Sequence, residues 1–276
     1  MNNIVYVNGE LVDAADATVA ASDHGLTVGD GLFETMKVVD GVAFAMTRHL
    51  RRLRRSAAGL GLHDVPDDHA LRAAVATTIA ANGDGVGRVR LTVTGGVGPA
   101  GTTRGDAGAT VLVVCSPPAE WPPTAAVITV PWTRNERGAL AGLKTTSYAE
   151  NVIALERAHA AGAHEAIFPN TVGDLCEGTG TNVFLTVDGR LTTPPLTSGC
   201  LAGVTRELLL EVIDVDERAV PIAALLEAEE AFLTSSTRDV QPIATVDGRS
   251  LGAAPGPATS AAIAAFAALA ASSSDP

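Results

Sequence analysis

Between Ser116 and Thr124 the chain reads SPPAEWPPT, four prolines in nine residues. Each proline fixes one backbone torsion and removes an amide donor, so neither a helix nor a central strand can run through this stretch. It is a stiff connector and predicts a small domain over 1–115, a linker over 116–124 and a larger domain over 125–276. A chain of 276 residues suits two domains better than one. Hairpin signals lie on both sides. IVYVNGELV turns at Asn8-Gly9, and FETMKVV turns at Asp40-Gly41 into VAFAM. Past the linker, HEAIFPN and TNVFLTV flank the turn region TVGD, and Asp188-Gly189 marks another turn.

Helical periodicity covers 47–60, where Leu50, Leu53, Ala57 and Leu60 share one face, and 68–82, 147–161 and 203–214 read as further helices. RVRLTVTG, ATVLVVCS, AVITVPW and residues 230–234 read as strands, with LKTTS a strand end or loop. Hairpins outnumber strand–helix–strand units, so the expected class is α+β and not a doubly wound sheet.

The formal net charge of −12 argues against nucleic acid or an anionic membrane as partner. Cys115, Cys176 and Cys200 show neither metal-ligand nor disulfide-framework spacing, and no metal site is expected. The opening residues lack a secretory pattern, and the longest apolar run, 261–271, is too short to span a bilayer. A cytoplasmic protein is expected.

Within 140-LAGLKTTSYAENV-152 stands Lys144, one of two lysines; the rest of the 19 Lys and Arg are arginine. Guanidinium stays charged, whereas a primary amine can lose its proton and condense with a carbonyl. In 175-LCEGTGTNVFL-185, Glu177 is an acid in an apolar segment beside Gly178 and Gly180, which admit a close ligand. Such a carboxylate wants a cationic partner, for which a protonated ring nitrogen qualifies. In 197-TSGCLAGVTRELLLEV-212, the N–H groups of Val204 and Thr205 and the Thr205 hydroxyl open a helix, the ordinary makings of an anion site. In 48-RHLRRLRRSAAGL-60, an arginine beside the apolar stripe can reach a phosphate. Each has an everyday alternative: a surface lysine, a solvent-facing glutamate, plain capping, a solvated helix face. Together they match the needs of pyridoxal 5′-phosphate (PLP).

The chain resembles the class IV (fold type IV) PLP-dependent aminotransferases, a family that includes branched-chain and D-amino acid aminotransferases and aminodeoxychorismate lyase. The likeness runs from NGELV to TSSTRDVQPIATVDG and is densest over EGTGTNVFLTVDGRLTTPPLTSGCLAGVTRELLLE, residues 177–211. It implies a small N-terminal α/β domain and a larger C-terminal one with a barrel-like sheet. It also implies a Schiff base on Lys144 and Glu177 at the pyridine nitrogen. In 49-HLRRL-53 it selects Arg52 for the phosphate, joined by Val204, Thr205, Ser235 and Ser236, and it places Tyr148 against the phenolic oxygen. A homodimer is implied too, with the 95–106 loop reaching a neighbouring subunit's site.

The carboxylate trap familiar from D-amino acid aminotransferases, an R-x-H pattern with an arginine after the TVT-like strand, is absent: Gly95 follows Thr94, and GGVGPAGTTRGD holds no RxH. Arg90 and Arg104 are the candidate replacements, and Phe33 in GDGLFET a further substrate contact. The other reading of Arg88 and Arg90 is a cationic sheet edge. Compact length and the GDGLFET opening favour a transaminase for D-amino acids or small (R)-amines, with the lyase next and a branched-chain L-transaminase third. GGVGPAG lacks the GK[ST] ending of a phosphate-binding loop.

Overall fold

The computed structural model describes all 276 residues and divides into two compact units. The first holds Met1–Ala119, Leu143–Ser147 and Asp275; the second holds the remainder. The division after Ala119 falls inside the proline-rich stretch. The expected 125–276 domain therefore loses Leu143–Ser147, and Lys144 with it, to the first unit.

The first unit contains β1 (Ile4–Val7), β2 (Glu10–Asp13), a one-turn α1 (His24–Thr27), β3 (Gly31–Val39), β4 (Val42–Ala43), α2 (Met46–Leu60), α3 (Asp68–Asn82), β5 (Arg88–Thr94) and β6 (Thr110–Ser116). Its strands form an antiparallel sheet in the order β2-β1-β6-β5-β3-β4. Side chains alternate across a strand. On β3 that places Leu32, Glu34, Met36 and Val38 on one face, all buried, and Phe33, Thr35 and Lys37 on the other. The Leu32 face packs with Leu50, Leu53 and Ala57 of α2 and Leu71, Val75 and Ile79 of α3 into one core. Each fully buried leucine there contributes about 1.5–3 kcal/mol. VAFAM supplies only a two-residue strand: Ala45 takes a left-handed conformation, φ 54°, and α2 begins at once. Ala45 offers α2 no side-chain cap, and the Asp275 carboxylate serves instead, accepting from Thr47 N at 2.8 Å.

β5 pairs on both sides, with β3 and β6, so the sheet-edge explanation of Arg88 and Arg90 does not hold. Segment 143–147 lies along the first residues of β3. Thr146 N donates to Gly31 O, Phe33 N donates to Lys144 O, and Leu32 bridges Thr145.

The second unit contains β7 (Ala125–Thr129), α4 (Ala149–Ala160), β8 (Glu165–Pro169), β9 (Leu175–Gly178), β10 (Asn182–Val187), β11 (Arg190–Thr193), α5 (Val204–Val212), β12 (Asp216–Glu217), α6 (Ala224–Glu227), β13 (Glu230–Ser235), β14 (Asp239–Val246), β15 (Arg249–Ser250) and α7 (Pro257–Ser272). The sheet runs β12-β11-β10-β13-β14-β7-β8-β9 with β15 on β14, and it is mixed, parallel at β7–β8, β7–β14 and β11–β12. The expected hairpin of HEAIFPN with TNVFLTV is replaced by β8 with β9, while TNVFLTV pairs with β11 and β13. The LCEG strand had gone unread because Glu177 and Gly178 hide its pattern. β14 also went unread, since Pro242 at its centre opposes Phe232 with no amide to donate. No helix is long and apolar enough to cross a membrane.

Candidate active site

In the first unit the register of β3 gathers the chemistry. Glu34 points into the core and is fully buried. Its oxygens accept from Arg52 Nε at 2.8 Å and Arg52 Nη2 at 2.5 Å, and His49 Nδ1 lies 2.6 Å from Oε2. His49 and Arg52 are three apart on α2, so one helix turn presents both to a single carboxylate. Burial pushes the Glu34 carboxyl up, but Arg52 and His49 outweigh it, and the group titrates at about 2. Burial holds His49 below the ordinary imidazole range, against the pull of Glu34. The carboxylate grips one edge of the Arg52 guanidinium and fixes its plane.

On the other face of β3 stands Phe33. Lys144 is its direct neighbour on one flank, with Nζ 4.2 Å from the ring centroid. Arg90, diagonal to Phe33 across β5, places its guanidinium carbon 3.6 Å from the same centroid. Arg90 is exposed and its Nε donates to Thr92 Oγ1 at 3.2 Å. Ser56 of α2 accepts from the backbone N–H of Lys144 at 3.1 Å. Arg104 is engaged elsewhere. It makes a two-pronged contact with Asp30 at 2.6 and 2.7 Å and donates to the carbonyls of Gly61 and Leu60 at the end of α2. It pins the glycine-rich loop to that helix end.

In the second unit, Glu177 sits on β9. Leu201 N donates to Oε2 at 2.9 Å, and Arg134 Nε lies 3.2 Å from Oε1, close enough to attract although its N–H is not aimed at the oxygen. The Arg134 guanidinium lies over the Phe168 ring, 3.9 Å from its centroid. Around Asn182 the expected phosphate donors converge. The register sets Asn182 opposite Thr234, next to Ser235, and its Nδ2 donates to Leu201 O at 2.8 Å. A Cβ on Gly203 would stand 2.0 Å from Asn182 Oδ1, so only glycine lets α5 start here. Gly203 brings no side-chain cap, and Val204 and Thr205 follow, buried. The Thr234 hydroxyl is buried without a partner, and Ser235 Oγ accepts from Arg238 N at 3.1 Å. Tyr148 precedes α4 as its N-cap residue.

Lys144, Phe33, Arg90 and Arg52 thus belong to the first unit, and Glu177, Val204, Thr205, Ser235, Ser236 and Tyr148 to the second. Each unit carries groups of the kinds PLP takes: the first an amine and a held guanidinium, the second a held carboxylate and an uncapped helix start beside hydroxyls. Burial raises the thiols, Cys115 to about 11 and Cys200 to about 12, with Cys176 higher still, so none is a ready nucleophile.

Glu34, His49, Arg134 and Asn182 are not among the residues the sequence alone singles out. Glu34 was legible as an acid between Leu32 and Met36 on a core-facing strand face. Arg134 carried no signal, because its partner lies 43 residues away in sequence.

Residues 31–246 match the model of the class IV amino-transferases. A putative branched-chain-amino-acid aminotransferase of Methanocaldococcus jannaschii is 33% identical over 89% of this chain and 88% of its own length. A D-alanine aminotransferase of Bacillus licheniformis is 31% identical over 92% of this chain and 93% of its own. Another relative is named aminodeoxychorismate lyase. Among solved structures, a hypothetical aminotransferase from Mycobacterium tuberculosis in PLP-bound form superposes with a TM-score of 0.82, at 29% identity, covering 96% of this chain and 98% of that one. With the two-unit α+β fold and a donor set suited to PLP, these likenesses place the chain in the class IV, fold type IV, PLP-dependent aminotransferases.

Proposed function

We propose that the protein is a transaminase moving an amino group between D-amino acids, or small (R)-configured amines, and α-keto acids, with Lys144 as the cofactor-bearing lysine. The observation carrying this reading is the exposed Arg90 guanidinium on the same Phe33 ring as the Lys144 amine, an anchor for a substrate carboxylate beside the group that handles the amine. The D-alanine aminotransferase among the relatives supports the stereochemical preference.

Bound PLP supplies an electron sink for the substrate's α-carbon. The chain's own residues do the rest. Lys144 Nζ takes the proton from the substrate Cα as a base and returns one as an acid. Glu177, one oxygen held by Leu201 N–H and the other beside Arg134, would hold a proton at the ring nitrogen. Arg52, oriented by Glu34, would join the Val204 and Thr205 amides and the Thr205, Ser235 and Ser236 hydroxyls in holding the phosphate, and Tyr148 would meet the phenolic oxygen. Arg90 takes the carboxylate in preference to Arg104, whose donors already hold Asp30 and two carbonyls. We read the working form as a cytoplasmic homodimer, which sedimentation velocity tests for its size.

Adding D-alanine to the yellow holoenzyme without a keto acid tests the reading: the visible band bleaches as the amino group is transferred. A band that responds only to L-valine points to a branched-chain enzyme. A response only to aminodeoxychorismate, with pyruvate released, points to the lyase, which the relative of that name supports. Lys144→Arg keeps the charge but forms no visible band, and turnover falls at least about 10²–10⁴-fold.

A further inference from the structure

The chain has two lysines, and each lies over a phenylalanine: Lys37 Nζ is 4.6 Å from the Phe44 centroid and Lys144 Nζ is 4.2 Å from that of Phe33. The Phe33 ring also carries Arg90, whose guanidinium carbon is closer still, at 3.6 Å. Lys144 and Arg90 reach Phe33 from opposite flanks of β3, one from segment 143–147 and the other from β5. Phe33 itself is 5% exposed and fixed at the sheet face.

We infer that Phe33 is a positioning residue whose ring stands between the Lys144 amine and the Arg90 guanidinium, seating the nucleophile and the anion anchor in one fixed relation while keeping the two cations apart. An aromatic face attracts a cation through its quadrupole. Two cations on one ring are each attracted to its face and repel one another. His49 of α2, itself held by Glu34 beside Arg52, is a further titratable group that feels the Lys144 charge. This inference rests on Lys144 being the cofactor lysine.

The two lysines make the test direct. Full-length holoenzyme converted to the amine form of its cofactor, which leaves the lysine free, and labelled with ¹³C at lysine Cε gives two resonances, assigned by Lys37→Arg, and each is titrated against pH with Lys37 as internal reference. Phe33→Leu removes the ring and the separation together, so the Lys144 midpoint falls by about half a unit to one unit while Lys37 stays put. Phe33→Tyr keeps the midpoint. Arg90→Gln, a change at an exposed side chain that leaves the core intact, raises it by a similar amount. A Lys144 midpoint unmoved by both Phe33→Leu and Arg90→Gln overturns the proposal; if Phe33→Leu does not fold, an unmoved Arg90→Gln suffices. Borohydride reduction of the holoenzyme followed by peptide mapping tests the underlying assignment separately. Cofactor fixed on Lys37 ends the role of Lys144, whatever the resonances do, whereas cofactor on Lys144 with unmoved midpoints ends only the role of the ring.

Discussion

Glu34 and Glu177 are carboxylates set among apolar residues, one in each unit, and they are neutralised differently. Glu34 is sealed: no solvent reaches it, the Arg52 guanidinium and the His49 ring hold its oxygens, and its carboxyl titrates at about 2. Glu177 keeps 14% of its side chain exposed, takes a backbone N–H on one oxygen and leaves the other beside an arginine whose N–H points elsewhere. The first arrangement is closed within the protein and acts by orienting Arg52. The second holds a partly exposed carboxylate by a backbone N–H. Burial alone therefore separates the two poorly; the kind of partner separates them better.

Four experiments press on that contrast. Glu34→Leu strands Arg52 and His49 in the core and costs about 3–5 kcal/mol of stability, read as a lower urea midpoint at pH 7. Glu177→Gln retains the shape and lowers turnover about 10²–10³-fold, with a urea midpoint close to the parent's. Were Glu177→Gln the more destabilising of the two, the contrast would collapse. Arg134→Met keeps an apolar stem on Phe168 and removes the charge, so turnover falls only about tenfold. Arg104→Gln breaks a contact that is one-third exposed, so it costs under about 1 kcal/mol. Its signature is faster protease cleavage within residues 95–106.

Acid gives a further check. The Glu34 carboxyl sits below its ordinary value in the fold, so its contribution is complete above about pH 4.5 and drains away as pH falls toward 2. The stability difference between parent and Glu34→Gln is expected to narrow across that window. His49, held below its ordinary value mainly by burial, acts earlier. The unfolded chain takes up its proton first, so stability begins to decline as pH drops through about 6.5.

What was legible in the sequence had local causes. The hairpin at Asn8-Gly9 and the turn at Asp40-Gly41 were readable because both pairs adopt positive φ, which those residue types tolerate. The helices 47–60 and 68–82 showed their apolar stripes. What escaped had distant causes. β8 chose LCEG over TNVFLTV through pairing that no periodicity announces. Segment 143–147 joined β3 through a few backbone contacts, invisible in KTTS. Arg134 became a partner of Glu177 only because folding brought β9 to it. The acid at position 34 was the one signal available and unread.

The interleaving of the units also bears on how such a chain can be cut or recombined. Because Leu143–Ser147 lies along β3, the chain returns to the first unit after leaving it. A fragment severed in the proline-rich stretch would keep β3 but leave Gly31–Phe33 without the neighbour that covers their flank, exposing backbone groups that invite aggregation. A single crossover at that stretch, pairing this first half with a foreign second half, would import another protein's lysine segment against Phe33 and Arg90. Modular exchange in this architecture therefore needs more than one breakpoint, and the residues bracketing Lys144 travel with the N-terminal half.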